Sequence, residues 1–284
     1  MSGLEPVMVK LMTYYKVQKI LPDTWYISEV LGAGEYLLAG GEKALLIDTG
    51  YGFVNLRPVL ARITKKEIEV VNSHGHVDHT GGNDQFEKIR IDKNDFPMLK
   101  KEWKKSQLDL LIHYGKRINP VLNLLLLYFR FQRFRKYNTR VEALPEDMVF
   151  DLGGRQIAVM KIPGHSPGSV IFLDAFTKTI FAGDALNPNM FLFLDERLKL
   201  GEYADNIENI VSLKGFNAIQ VSHQVQALPF SFVKWYADFL RRVDLDKSEL
   251  TGIPNGSRPV YQYAEKCEIL NGNKAAVCFA ADNL

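Results

Sequence analysis

The sequence predicts an α/β fold, and three observations support that prediction. Apolar runs of strand length recur along the chain, helical patterns separate some of them, and histidines or acidic residues directly follow several of the runs. The 284 residues are 46% hydrophobic, which suits one large domain or two halves that share an interface. Charged residues make up 24% of the chain, and this composition excludes a disordered or fibrous protein.

The first half of the chain, about residues 1–94, alternates strand and helix signals. Apolar residues at helical spacing predict a helix over residues 53–63. Short apolar runs bounded by glycine-containing breaks predict strands over residues 24–30, 35–39, 43–48, 68–72 and 89–91. The mixture indicates a sheet that is partly covered by helices.

The second half, about residues 145–284, returns to the strand pattern. We predict strands over residues 156–162, 169–174, 179–182 and 216–221, and a helix over residues 231–243. A two-residue turn at Asn271-Gly272 predicts a hairpin in which Cys267 faces Ala276. The two cysteines would then lie diagonally as buried free thiols.

A helical insertion is predicted between the halves, over about residues 95–144. Residues 100–140 hold eleven basic and two acidic side chains, a net charge of +9, whereas the remaining 24 basic and 31 acidic residues give −7. The overall charge of +2 therefore hides two opposed regions.

Three interpretations of this insertion stay open. It is a helical cover with solvated charges, or a lid whose aromatic and basic residues, such as Tyr128 and Arg130, contact an acyl-bearing or anionic substrate. The third interpretation is a contact with an anionic membrane surface or with a second copy of the chain.

The residues that point to chemistry are three histidines and a carboxylate within six positions, His74-x-His76-x-Asp78-His79. Alternate residues of an extended segment face the same way, so the first two imidazoles can share one metal ion. Further candidate ligands follow predicted strands in the second half: His165, Asp184 and His223. Imidazole and carboxylate ligands suit zinc, with manganese or iron as alternatives, and seven of them suit two ions. The other interpretation is that these are core histidines whose hydrogen bonds are satisfied. That interpretation suits a single histidine, but it does not account for five together with two carboxylates.

These motifs resemble those of the metallo-β-lactamase superfamily. The similar segments are residues 44–50 (ALLIDTG), 74–79 (HGHVDH), 163–169 (PGHSPGS), 183–184 (GD) and 222–223 (SH). The resemblance implies a four-layer αββα sandwich of two halves within a single domain spanning residues 1–284. The ligand set is similar to that of glyoxalase II and of the lactonases.

The resemblance also assigns the candidate site residues. It implies that the first zinc ion is held by His74, His76 and His165. The second ion takes Asp78, His79 and His223, Asp184 bridges the two ions, and Asp48 supports the ligands from outside. Asp78 and Asp184 would be the catalytic carboxylates, with a metal-bound hydroxide as the nucleophile.

Departures from particular members of the family narrow the predicted reaction. Asp184 stands where β-lactamases carry Cys or Ser, which disfavours β-lactam hydrolysis. Asn187 stands where the lactonases carry a tyrosine, so its predicted role in substrate binding is weak. The remaining prediction is a hydrolase of a small ester, thioester, lactone or phosphoester. The alternatives are a phosphodiesterase or nuclease of the same superfamily and a metal-dependent sensor without turnover.

Charge and cysteine content bear on the binding partners and the cellular compartment of the protein. A net charge of +2 gives no reason to expect nucleic acid as a partner. Two cysteines do not form a disulfide framework, and the first residues lack the apolar segment of a signal peptide. We therefore expect a cytoplasmic protein.

Overall fold

The computed structural model describes residues 14–99, 138–145, 147–192, 198–253 and 258–284. The chain forms two compact units. The first unit comprises Met1–Pro145 and Phe150–Gln156, and the second unit comprises Glu146–Val149 and Ile157–Leu284. Tyr128, Arg130 and most of the predicted insertion lie outside the described residues.

The first unit is built on a sheet that has seven strands within the described residues. In order across the sheet these strands are β1 (Tyr15–Leu21), β2 (Thr24–Glu29), β3 (Gly34–Ala39), β4 (Lys43–Ile47), β5 (Glu67–Val71), β6 (Lys88–Ile91) and β7 (Arg140–Ala143). Strands β1 to β4 pair antiparallel, whereas β4 to β7 pair parallel. The parallel part brings the carboxyl ends of β4, β5 and β6 to one edge.

Two helices of the first unit lie on connections between the parallel strands. Helix α1 spans Arg57–Ile63, and the short helix α2 spans Val77–Thr80. The sequence predicted the start of α1 at residue 53, which is wrong. Pro58 occupies the first turn of α1, and an earlier start would place its ring inside the helix, where it removes a hydrogen bond.

Strand β7 corrects the predicted extent of the helical insertion. It pairs with β6, with Ile89 opposite Val141, although it lies inside the range predicted as helical. Its exposed face carries Glu142, which forms ion pairs with Lys88 and Arg90 of β6. A four-residue edge strand with alternating charges has little apolar signal, and neighbouring side chains stabilise it only in the folded sheet.

Two further sheets lie mainly in the second unit within the described residues, although Phe150, Asp151 and Gln156 of their strands belong to the first unit. The first has the order β14-β13-β11-β10-β9-β8 and the second the order β12-β17-β16-β15. The strands are β8 (Val149–Asp151), β9 (Gln156–Lys161), β10 (Val170–Asp174), β11 (Thr179–Phe181), β12 (Asn189–Leu192), β13 (Ala218–Gln220), β14 (Leu228–Pro229), β15 (Glu249–Leu250), β16 (Val260–Lys266) and β17 (Lys274–Ala280). Strand β11 pairs parallel with β13, and β12 pairs parallel with β17.

Helices α3 (Leu200–Val211) and α4 (Phe232–Arg241) cover the core of the second unit. The predicted helix over residues 231–243 is confirmed as α4. Helix α3 was not predicted from the sequence, although Tyr203, Ala204 and Ile207 follow helical spacing and are buried. Arg241 of α4 joins the helices through Asp205 and Glu208 of α3.

The C-terminal hairpin differs from its predicted register. Lys266 pairs with Lys274, so Cys267 lies opposite Asn273 rather than Ala276. A 3-10 turn over Glu268–Leu270 precedes the left-handed Asn271 and makes the connection longer than two residues. The prediction of two buried free thiols, Cys267 and Cys278, is confirmed.

Among the helices within the described ranges, none is both long enough and apolar enough to cross a membrane.

Arg155 provides a test of how the first unit is held together. Its side chain is 3% exposed; it donates from Nη1 to the carbonyls of Asp23 (2.9 Å) and Ala39 (3.0 Å) and from Nη2 to Thr24 Oγ1 (2.8 Å). Replacing it with Met removes these three hydrogen bonds, although the Asp23 carbonyl still accepts from the backbone N–H of Ala39 (2.9 Å). We expect the free energy of unfolding, measured by denaturant titration, to fall by about 2–4 kcal/mol.

The matched control is Arg62→Met on the exposed side of α1. It should change stability by less than about 0.5 kcal/mol. Equal losses in the two variants would contradict the role given to Arg155.

Candidate metal centre

In the first unit, the candidate ligands follow the carboxyl ends of neighbouring parallel strands. Asp48 comes directly after β4, and Asn72, Ser73 and His74 come directly after β5. The backbone N–H of Asp48 donates to the carbonyl of Val71 (2.9 Å), which keeps the two strand ends together. The strand bounds confirm the predicted strand that precedes His74, and in sheets of this kind ligands commonly bind beyond the carboxyl ends of the strands.

Asp48 organises this cluster. Its Oδ1 accepts from the backbone N–H of Ser73 (2.7 Å), and its Oδ2 accepts from Ser73 Oγ (2.7 Å) and from His79 Nδ1 (2.9 Å). All three residues are 1% exposed. Because a carboxylate oxygen only accepts, the Nδ1 of His79 carries a proton and its Nε2 is left as the ligand atom.

The same carboxylate reaches His74 through a hydroxyl group. Ser73 Oγ lies 3.0 Å from His74 Nδ1. Because the hydroxyl donates its hydrogen bond to Asp48, it accepts one from the Nδ1–H of His74. The Nε2 of His74 then faces His76 Nδ1 at 3.0 Å. Two nitrogens bound to one tetrahedral zinc at about 2.0 Å stand about 3.3 Å apart, so this pair fits a shared ion.

Helix α2 supplies Asp78 and His79. The carbonyl of His79 accepts from Thr49 Oγ1 (3.1 Å) and from Asn72 Nδ2 (3.0 Å), which holds the helix against the strand ends. Asp78 Oδ2 lies 3.6 Å from His79 Nε2, so an imidazole and a carboxylate point to a common position. The donor set of the first unit is therefore suited to zinc.

The candidate ligands of the second unit also follow strand ends. His165 comes after β9, Asp184 after β11 and His223 after β13. The backbone N–H of Ser222 donates to the carbonyl of Gly183 (3.0 Å), which brings the last two together. Asp184 Oδ2 lies 3.2 Å from His223 Nε2 and 3.7 Å from His165 Nε2.

His165 is oriented in the way that metal-binding histidines commonly are. Its Nδ1 donates to the carbonyl of Phe191 (3.0 Å), which leaves Nε2 facing Asp184. The preceding residue must be glycine, because a Cβ on Gly164 would collide with the ring of Tyr203. Helix α3 thus fixes the loop that carries this ligand.

Two buried tyrosines hold the turn that follows Asp184. Tyr203 Oη donates to the carbonyl of Ala185, and Tyr236 Oη donates to that of Asn187 (2.9 Å). Asn187 is 8% exposed, and its Oδ1 accepts from the backbone N–H of Asn189 (3.0 Å). Its side chain therefore has a local structural role, and the predicted contact with substrate stays a prediction.

Two buried glutamates, Glu29 and Glu35, lie near the cluster of the first unit and were not predicted from the sequence. The Oε1 atoms of Glu29 and Glu35 both converge on Gly50, where a Cβ would collide with them. Glu29 Oε2 accepts from Tyr14 Oη (3.0 Å) and from the N–H of Tyr51 (3.2 Å). Burial raises the pKa of Glu29 to about 7, and burial next to Glu29 raises the pKa of Glu35 well above its ordinary value.

The family of the chain follows from comparison with known proteins. Residues 36–246 match the model of the metallo-beta-lactamase superfamily, and this range is more than half of the chain. The chain belongs to that superfamily. The motif resemblance and the predicted fold class are thereby confirmed.

The curated relatives include thioesterases. Acyl-coenzyme A thioesterase MBLAC2 of Homo sapiens is 24% identical over 234 residues, which cover 78% of this chain and 80% of the relative. Atrochrysone carboxyl ACP thioesterase of Aspergillus chevalieri is 24% identical over 183 residues, which cover 63% of this chain and 47% of the relative. The prediction of a hydrolase of this superfamily is confirmed at that level.

Solved structures support the same fold. A metallo-beta-lactamase from Pontibacter korlensis aligns with a TM-score of 0.56 at 19% identity, covering 81% of this chain and 100% of that chain. A metallo-beta-lactamase from Erythrobacter litoralis aligns with a TM-score of 0.57 at 12% identity, covering 81% and 98%. At these identities the similarity concerns the fold alone.

Asp48→Asn tests whether Asp48 positions the histidines. Asparagine tolerates the left-handed backbone of this position (φ 67°), but its amide has a single acceptor oxygen. It therefore cannot accept both from the backbone N–H of Ser73 on one side and from Ser73 Oγ and His79 Nδ1 on the other. We expect zinc affinity, measured by competition with a chromophoric chelator, to fall about 10-fold to 100-fold.

Asp23→Asn is the matched control, because Asp23 is also left-handed (φ 45°) but exposed. Its zinc affinity should equal that of the unchanged protein. Unaltered zinc affinity in Asp48→Asn would show that Asp48 does not orient the ligands.

The two buried glutamates predict a pH dependence of stability. The folded protein holds their protons more tightly than the unfolded chain, so their stabilising contribution is complete below pH about 4.5 and is lost as the pH rises through about 7. We expect the free energy of unfolding, at constant zinc concentration, to decrease by roughly 1–3 kcal/mol between pH 5 and pH 8.

The double variant Glu29→Gln with Glu35→Gln should flatten this decrease, since neither amide titrates. Glu87→Gln, on the exposed surface, should leave it unchanged. A pH profile that stays the same in the double variant would rule the pair out as its source.

Proposed function

We propose that this protein is a metal-dependent thioesterase that hydrolyses acyl thioesters at a site with two zinc ions. The observation that supports the proposal most is the presence of two histidine and carboxylate clusters at strand ends, one in each unit, in a chain of this superfamily. The ligands would be the seven predicted ones: His74, His76, Asp78, His79, His165, Asp184 and His223.

The hydrogen bonds within each unit favour this ligand set. In the first unit, Asp48 leaves Nε2 of His79 as the ligand atom and, through Ser73, does the same for His74. In the second unit, the carbonyl of Phe191 orients His165 in the same way. Manganese or iron would satisfy these donors as well, so zinc is the proposed rather than the required metal.

The overall reaction breaks the C–S bond of the thioester with one water. The water oxygen bonds to the carbonyl carbon, one of its protons ends on the thiol, and a carboxylic acid is released. The chemistry that zinc would supply, if the seven candidate ligands held it, is a lowered pKa of water, to about 7, and polarisation of the thioester carbonyl. Asp78 would accept the proton of the attacking water, and Asp184 would hold His165 and His223 in position.

Thioesters are the preferred substrate class because of the relatives. A coenzyme A thioesterase and an acyl carrier protein thioesterase align with this chain, and their named substrates share an acyl thioester. Asp184, which replaces the Cys or Ser of β-lactamases, disfavours a β-lactam. The free thiols of Cys267 and Cys278 are compatible with the proposed cytoplasmic location, where thiols stay reduced.

A panel of substrates tests the proposal. The zinc-loaded protein should hydrolyse a medium-chain acyl-coenzyme A at least about 100-fold faster, in kcat/KM, than a penicillin, a phosphodiester or a lactone. Removal of metal with a chelator should abolish the activity, and zinc should restore it. His165→Ala should lower kcat by about 100-fold or more. His113 is the one of the six histidines that lies outside the ligand motifs, so His113→Ala is the control and should leave kcat unchanged.

Other outcomes identify the alternatives. Preference for the phosphodiester would favour a phosphodiesterase of the superfamily. Zinc binding without turnover of any substrate would favour a sensor. Full thioesterase activity in the metal-free protein would contradict the metal-dependent mechanism.

A further inference from the structure

A groove of about 450 Å³ lies in the second unit, and two of its walls follow candidate ligands along the chain. One wall begins at Gln224, the residue after His223, and continues through Ala227 to Pro229. A second wall is formed by Pro188 and Asn189 after the Asp184 turn, and the third by residues 269–274 of the hairpin. The groove has the size of a small-molecule site, and its first two walls come directly after His223 and after the Asp184 turn in the chain.

The walls of the groove are rich in amide side chains. Two of these amides hold the walls themselves, since Gln224 Nε2 donates to the carbonyl of Gln226 (2.7 Å) and Asn273 Nδ2 donates to that of Leu270 (2.9 Å). The remaining side-chain amides, those of Asn189, Gln226 and Asn271, are exposed to solvent. They offer both donors and acceptors to a ligand that carries amide groups.

Lys274 is the charged residue among those described along this groove. Its cross-strand neighbour Lys266 forms an ion pair with Glu268 (3.3 Å). Within the described part of the chain, Lys274 itself has no carboxylate partner, and no acidic side chain lines the groove. The charge of Lys274 is therefore available to an anionic ligand.

The exposed face of the sheet places three kinds of side chain in order. Asn189 and Phe191 alternate with buried residues on β12 and therefore share one face. Asn189 pairs with Ala276 of the parallel strand β17. Lys274 precedes Ala276 by two residues, so its side chain lies on the same face as that of Asn189. Along this face the ring of Phe191 comes first, then the amide of Asn189, then the cation of Lys274. The backbone carbonyl of Phe191 is the group that accepts from His165 Nδ1.

We propose that this groove binds the leaving-group arm of the thioester, a chain with two secondary amides that ends in a phosphate. In this arrangement the amide side chains contact the arm and Lys274 binds its phosphate. The acyl chain extends from the thioester in the opposite direction, past Phe191. The proposal rests on the proposed thioesterase function. Coenzyme A and acyl carrier proteins both present this phosphopantetheine arm, which is the chemistry shared by the two named relatives.

The test uses the full-length zinc-loaded protein and three thioesters of one acyl group. They are the acyl-coenzyme A, the acyl-phosphopantetheine and the acyl-pantetheine, which lacks phosphate. In Lys274→Ala we expect kcat/KM to fall about 10-fold on the two phosphate-bearing substrates and to stay unchanged on acyl-pantetheine. Lys266→Ala is the matched control on the neighbouring strand and should leave all three values unchanged.

The pattern of losses identifies the source of the arm. Asn189→Ala should lower kcat/KM on all three substrates by a similar factor, about 3-fold to 10-fold, because the amides are common to them. Comparing acyl-coenzyme A with an acyl carrier protein that bears the same acyl group shows which one delivers the arm. A loss in Lys274→Ala that is equal with and without phosphate would overturn the proposed phosphate contact.

Binding of coenzyme A itself separates this inference from the proposed function. By calorimetric titration, Kd should rise about 10-fold in Lys274→Ala and stay unchanged in Lys266→Ala. If no thioester is hydrolysed but this difference in Kd is found, the groove assignment stands and the thioesterase proposal fails. If thioesters are hydrolysed but both lysine variants match the unchanged protein, the groove assignment is wrong and the function stands.

Discussion

The carboxylate of Asp48 is the constraint on which the first cluster depends. It is buried, and a buried charge must be compensated by hydrogen bonds or by a nearby cation. The backbone N–H and hydroxyl of Ser73 and the ring of His79 provide that compensation. The same bonds determine which nitrogen of each imidazole can bind a metal. The same hydrogen bonds therefore stabilise the buried carboxylate and orient the candidate ligands.

The second unit reaches a comparable result with different groups. Asp184 lies between the imidazoles of His165 and His223, and its turn is held by hydrogen bonds from Tyr203 and Tyr236. These tyrosines belong to α3 and α4, whose apolar faces form the core. Core packing thus fixes the backbone of a polar turn. The cost of burying the tyrosine hydroxyls is offset because each finds a backbone carbonyl.

Protonation keeps the first unit from accumulating too much negative charge. Glu29 and Glu35 are buried near a network that already contains the Asp48 carboxylate. Their raised pKa values mean that they retain protons at pH values where exposed glutamates are ionised. The groove of the second unit differs from this buried network, since the side chains of Asn189, Gln226 and Asn271 are exposed to solvent and Lys274 has no carboxylate partner within the described residues.

The sequence by itself determined the superfamily, the fold class and the positions of the candidate ligands. Those features are local: a strand-length apolar run followed by His74 or Asp184 is visible without knowing what packs nearby. Tertiary structure decided what depends on distant partners, such as the pairing of β7 through Glu142 and the carboxyl groups that meet at Gly50. Helix α3 was missed although its apolar spacing is visible. A ligand-binding role for Lys274 could be inferred only from the strand register, which places it two residues from the partner of Asn189 along the same groove. Whether a lysine can bind a ligand depends on the side chains around it, and these come from distant parts of the chain.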